Sequence, residues 1–201
     1  SSGYQQVQKL TASFGTDGLP EVSPANDRFG RPVALSATGE TLAIGATNDE
    51  ENGVSGAGSV YIFQSGSSGY QQVQKLTASF GTDGLPEVSP EGDNFGSAIV
   101  LSSTGETLVV GATGDEEAGG PVAGAVYIFQ SGSSGYQQVQ KLIPSLGTDG
   151  LPEVSPQYDY FGNAIAFSET GETLAVGAWQ DEENGGSGAG SVYVFRYTDD
   201  Y

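Results

Sequence analysis

The chain has no cysteine, no histidine and no methionine. That excludes disulfides, thiolate zinc sites and Cys or His nucleophiles. Basic residues are also few, with 6 Lys and Arg against 25 Asp and Glu for a formal charge of −19. Such a chain repels phosphate backbones and anionic bilayers, so nucleic acid is not an expected partner. No apolar run approaches the length of a membrane span, so no membrane insertion is expected. Two uses remain for the carboxylates. They hold hard cations such as calcium, or they keep a β-rich chain soluble. The sequence opens at Ser1 without an initiator Met or a signal peptide, which reads as an excised or engineered piece.

What is abundant is glycine, at 32 residues, among Val, Ile, Leu, Ala, Tyr and Phe. That balance suits many short strands joined by turns. The order of these residues is decisive. Ser1 to Pro24 recurs letter for letter from Ser67 to Pro90, and again from Ser133 to Pro156 with changes at Ile143, Pro144 and Leu146. The offset of 66 residues persists through Phe29-Gly30, Phe95-Gly96 and Phe161-Gly162, and through Val60-Tyr61, Val126-Tyr127 and Val192-Tyr193. Repeats 1–66, 67–132 and 133–198 therefore make one unit spanning 1–201.

Four strand-like runs recur in each repeat. Phe29 to Ser36 and Thr41 to Ala46 are joined by a tight Thr-Gly-Glu turn, which predicts an antiparallel hairpin. Gly58 to Gln64 is rich in β-branched and aromatic residues. Tyr4 to Leu10 is the fourth run, with its Gln and Lys residues expected to face water and a bulge expected at Gln5-Gln6 to reconcile a spacing of three with a strand. The second run is nearly all apolar, so both its faces should be covered. A four-stranded antiparallel unit in tandem predicts an all-β fold, a β-propeller built of four-stranded blades. The blades in space are then 29–76, 95–142 and 161–196, the last completed by strand 4–10 of its own or a partner chain.

The Phe-Gly opening, the second strand of ETLAIGA type and the third strand GAGSVYIF resemble FG-GAP repeats, the blades of the integrin α-subunit propeller and of many surface proteins. The resemblance covers nearly the whole chain and implies an extracellular or cell-surface module for binding or adhesion. In calcium-binding members of that family the loop after the second strand follows an Asp-x-Asp-x-Asp-Gly style. Here it reads Asn48-Asp49-Glu50-Glu51-Asn52-Gly53, with Asp115 and Glu117, then Asp181, Glu183 and Asn184, at matching positions. The resemblance thus implies calcium at these loops, against a plain solvated acidic loop. The family's Gly-Ala-Pro is replaced by Gly45-Ala46-Thr47, Gly111-Ala112-Thr113 and Gly177-Ala178-Trp179.

Three further features bear on function. The 18-residue segment Thr11 to Arg28 is either a binding surface or a loop whose Phe14 and Leu19 cover a blade edge, the second being favoured. Asp27, Asp93 and Asp159, two residues before each Phe-Gly, are expected to pin a turn. Trp179 breaks the repeat and is a candidate ligand-stacking residue. Three near-identical copies argue against one asymmetric active site, so no enzyme is expected. The leading reading is a non-catalytic binding or adhesion module. A self-assembling repeat, natural or designed, without a ligand is the first alternative, and a carbohydrate-binding lectin the second. Three blades are too few to close a ring, which predicts a homodimer of six blades, with a nine-blade trimer as the other option.

Overall fold

The strands form where the repeat places β-branched and aromatic residues between glycine-rich turns. The computed structural model describes residues 3–14, 26–50, 54–80, 84, 91–116, 121–145, 157–182 and 188–198. Blade one contains β1 (Val33–Leu35), β2 (Thr41–Ala46), β3 (Ser59–Gly66) and β4 (Gly69–Leu76). Blade two contains β5 (Phe95–Leu101), β6 (Thr107–Ala112), β7 (Ala125–Gly132) and β8 (Gly135–Leu142). Among the described residues blade three has three strands, β9 (Ala164–Phe167), β10 (Thr173–Ala178) and β11 (Ser191–Arg196). The named strands of each blade pair antiparallel with their neighbours in the chain, as in a propeller. Among the described residues no helix is long and apolar enough to cross a membrane.

Two strands differ from expectation. The Phe-Gly pair does not extend β1 or β9. Arg28, Asn94 and Tyr160 take left-handed φ of 59°, 54° and 55°, and the following Gly30 reaches 100°, so the chain turns sharply there. Residues 4–10 form no strand. In the fourth strand the register slips between Ile62, which faces Gln74, and Phe63, which faces Gln72. The extra residue is Val73, one position beyond the expected site. The slip lets Gln72 and Lys75, three apart, share the face of Tyr61 and Phe63. It also turns Val73 outward, 51% exposed, and carries Lys75 inward, where water had been expected.

The blades stack face to face. The face of blade one carrying Val60, Ile62 and Leu76 meets the face of blade two carrying Leu101, Val110 and Tyr127 in one core cluster. Val126 and Ile128 of blade two meet Ile165, Phe167 and Tyr193 of blade three in the same way. The junctions are close enough to demand glycine. A Cβ on Gly45 would lie 2.5 Å from the Gly96 carbonyl oxygen, and one on Gly58 would lie 2.2 Å from that of Phe95. Backbone bonds join the blades at the same point, with the Phe95 N–H donating to Ala57 O at 2.9 Å and the Phe161 N–H to Ala123 O at 3.0 Å.

Candidate functional site

The loop after the second strand places its aspartate inside the blade. Asp49 and Asp115 are each 1% exposed and Asp181 is 2% exposed. Tyr61, twelve residues on and across the sheet, donates its hydroxyl to Asp49 Oδ2 at 2.8 Å. Lys75 Nζ lies 2.9 Å from that oxygen and 5.2 Å from the Tyr61 ring centre. Blade two repeats the arrangement: Tyr127 reaches Asp115 Oδ2 at 2.6 Å, Lys141 reaches it at 2.8 Å, and the ammonium lies 5.0 Å from the ring. In blade three Tyr193 donates to Asp181 Oδ2 at 2.7 Å. A buried carboxylate persists only when paired and hydrogen-bonded, and lysine and tyrosine together supply both needs. Phe29, Phe95 and Phe161 close each site by meeting the tyrosine edge-on at 5.3 Å.

The residues expected to hold calcium are thus divided. Asn48 is half-buried, and its N–H donates to Asp27 O at 3.2 Å. Oδ2 of Asp49 and of Asp115 already accepts an ammonium and a phenol. Glu51, Glu117, Glu183 and Asn184 lie outside the described residues. Among the described residues no three acidic groups gather as a metal site. Asp27, Asp93 and Asp159 are buried, and their main-chain carbonyls accept from residues 48, 114 and 180, tying the Phe-Gly turn to the acidic loop. Phe14 is clamped at both its N–H and its carbonyl by the Gln72 side-chain amide, whereas Leu19 lies outside the described residues.

The lysine was the partner missed by sequence reasoning. Its signal was present: Lys9, Lys75 and Lys141 are three of only six cations and share one register. A chain so acidic that keeps a cation at one position in every repeat has a use for it there.

A family model described as the FG-GAP repeat matches residues 4–63, 70–129 and 136–195. The chain belongs to the FG-GAP repeat family. The FG of this family is the Phe-Gly turn at each blade junction, and each matched stretch ends on a third strand. No curated protein sequence matches the chain. Among solved structures it resembles a Bacteroides uniformis protein described as a 6-phosphogluconolactonase, with a TM-score of 0.53 and 14% identity over 87% of this chain. This FG-GAP chain spans 38% of the length of that protein, and the likeness is one of fold alone.

A second region gathers where the innermost strands begin. Arg28, Arg31 and Thr47 of blade one, Asn94, Ser97 and Thr113 of blade two and Asn163 of blade three line an open cavity of about 200 Å³. These are three sequence positions seen from successive blades, so the cavity lies at the mouth of the propeller axis. They are also positions at which the FG-GAP repeats differ in chemistry: Arg28, Asn94 and Tyr160; Arg31, Ser97 and Asn163; Thr47, Thr113 and Trp179. Trp179 is 53% exposed and lies against Tyr160 with ring centres 5.4 Å apart.

Proposed function

We propose that this FG-GAP chain is a non-catalytic, extracellular recognition module that binds through the axial mouth of its propeller, presented by a closed ring of six blades from two copies. One observation carries the reading. Where successive blades meet at this cavity they present different chemistry, Arg28 beside Asn94 and Arg31 beside Ser97 and Asn163. The two exposed guanidinium groups of blade one and the exposed Trp179 of blade three, which lies against the half-buried Tyr160, suit a glycan bearing a carboxylate or sulfate, since arginine forks onto such anions and aromatic faces stack on sugar rings. The Asp–Tyr–Lys groups support the non-catalytic part of the reading. Their aspartates are buried in all three blades, and in blades one and two a lysine and a tyrosine both engage one carboxylate oxygen.

A glycan array probed with the intact chain tests this. Retention is expected on acidic glycans, falling at least about tenfold for Arg31→Ala and for Trp179→Ala. An array blank for both neutral and acidic glycans, from a correctly folded chain, would favour the self-assembling repeat without a ligand.

A further inference from the structure

We propose that residues 4–10 of a second copy form the fourth strand of blade three, with Tyr4 filling a cavity beside Gly171 and Lys9 joining Asp181 and Tyr193. The inference deepens the ring reading above and rests on it. It is drawn from the two junctions already present within the chain.

The N-terminal segment already sits as an outer strand of a preceding blade would. Gln8 exchanges two hydrogen bonds with the main chain of Tyr70, both at 2.9 Å, as Gln74 does with Tyr136. Gln72 clamps Phe14 as Gln138 clamps Phe80. Leu10 packs on blade one beside Phe29 and Tyr70. Yet Tyr4 and Val7 are 108% and 96% exposed, and Lys9 is exposed too. The side of the segment that a β3-type strand would cover is bare.

Blade three shows the complementary surface. Among the described residues nothing pairs beyond β11. Val192 and Val194 are 68% and 63% exposed, whereas Val60 and Ile62, at the same register of blade one, are 0% and 1% exposed. The matching face on blade one also lies open, with Val33 and Leu35 at 60% and 56%. These are the two halves of one junction. Its geometry occurs twice inside the chain, so a second copy is the occupant whose shape is already fitted.

The tyrosine register identifies the cavity. Tyr70 donates its hydroxyl to Gly39 O, and Tyr136 donates to Gly105 O while also bonding Thr41 of the blade before. One repeat on, these partners are Gly171 and Thr107. Both line a cavity of about 190 Å³ between blades two and three, with Phe167, Leu174 and Phe195 in its wall. The incoming residue at that register is Tyr4 of the second copy, and five residues later the same strand brings Lys9 to the register of Lys75 and Lys141.

Sedimentation velocity across a dilution series of the full 201-residue chain gives the test. The chain should reversibly reach twice its 20.6 kDa mass. Tyr4→Ala and Lys9→Gln should each weaken the dimer by at least about tenfold, and Tyr4→Phe by less. Both residues are exposed in the single chain, so these variants should keep the parent circular dichroism. Mixing Lys9→Gln with Asp181→Asn should restore a dimer tighter than either variant forms alone, since one closed ring of that mixture keeps one intact lysine–aspartate pair. A wild-type chain that stays monomeric would sink the ring and the inference together. A wild-type dimer indifferent to Tyr4→Ala and Lys9→Gln would leave the ring standing and overturn this junction.

Discussion

Blades two and three carry almost the same residues and bury them differently. In β6, TLVVGA, every residue after the first is buried. In β10, TLAVGA, only alternate residues are, with Leu174, Val176 and Ala178 buried and Ala175 and Gly177 half-covered between them. The contrast sharpens one strand out: β7 is buried nearly throughout its blade-spanning part, whereas β11 alternates. Blade two has a neighbour on each face and blade three has one. A strand that reads as doubly covered is doubly covered only where a second sheet lies against it. Burial in a repeat protein is a property of the junction, so energies assigned to one repeat cannot be transferred to another by sequence identity.

The largest effect should come from breaking the buried ion pair of blade two. Lys141→Met removes the cation that faces Asp115 in a fully enclosed site and should cost about 3–5 kcal/mol, read as a lowered urea midpoint. If the loss is under about 1 kcal/mol, the pair is not what holds that carboxylate in the blade.

A paired truncation then compares the two blades directly. Val126 is wholly buried and Val192 is 68% exposed at the same register. Val126→Ala should cost about 2 kcal/mol. Val192→Ala should change stability by under about 0.5 kcal/mol in the dilute, unassembled chain and weaken assembly at higher concentration. Equal costs in dilute solution would mean that blade three's outer face is already covered in the single chain.

The smallest effect concerns Tyr136. Burial raises its phenol pKa above the usual 10.0, opposed by the hydrogen bond with Thr41. Below pH 10.0 the phenol is protonated both folded and unfolded, and its contribution is fully present. Above that pH the unfolded chain ionises first, so stability is lost as pH rises through the folded pKa. Melting temperature should therefore decline more steeply above about pH 10 in the parent than in Tyr136→Phe, with tyrosinate absorbance following the same course. Superimposable alkaline profiles would remove Tyr136 as a source of that loss.

The 66-residue period, the Phe-Gly turns and the alternating apolar runs of the sequence by themselves determined an all-β propeller, because period and turn chemistry are local properties of the chain. The hairpin at Gly39, with φ of 72°, was legible for the same reason. The position of the fourth-strand bulge was not. Slipping at Val73 instead of one residue earlier is decided by which face Lys75 must occupy to reach Asp49, and that aspartate arrives from another loop of the sheet. Nor could an acidic loop announce that its aspartate turns inward onto a tyrosine and a lysine, since exposed and buried carboxylates are written with the same letter. The axial cavity likewise exists only once three blades bring residues 66 apart to one mouth. Composition and spacing chose the blade. Contacts between blades, made by residues far apart in the chain, chose what is buried, what is paired and what remains open to a partner.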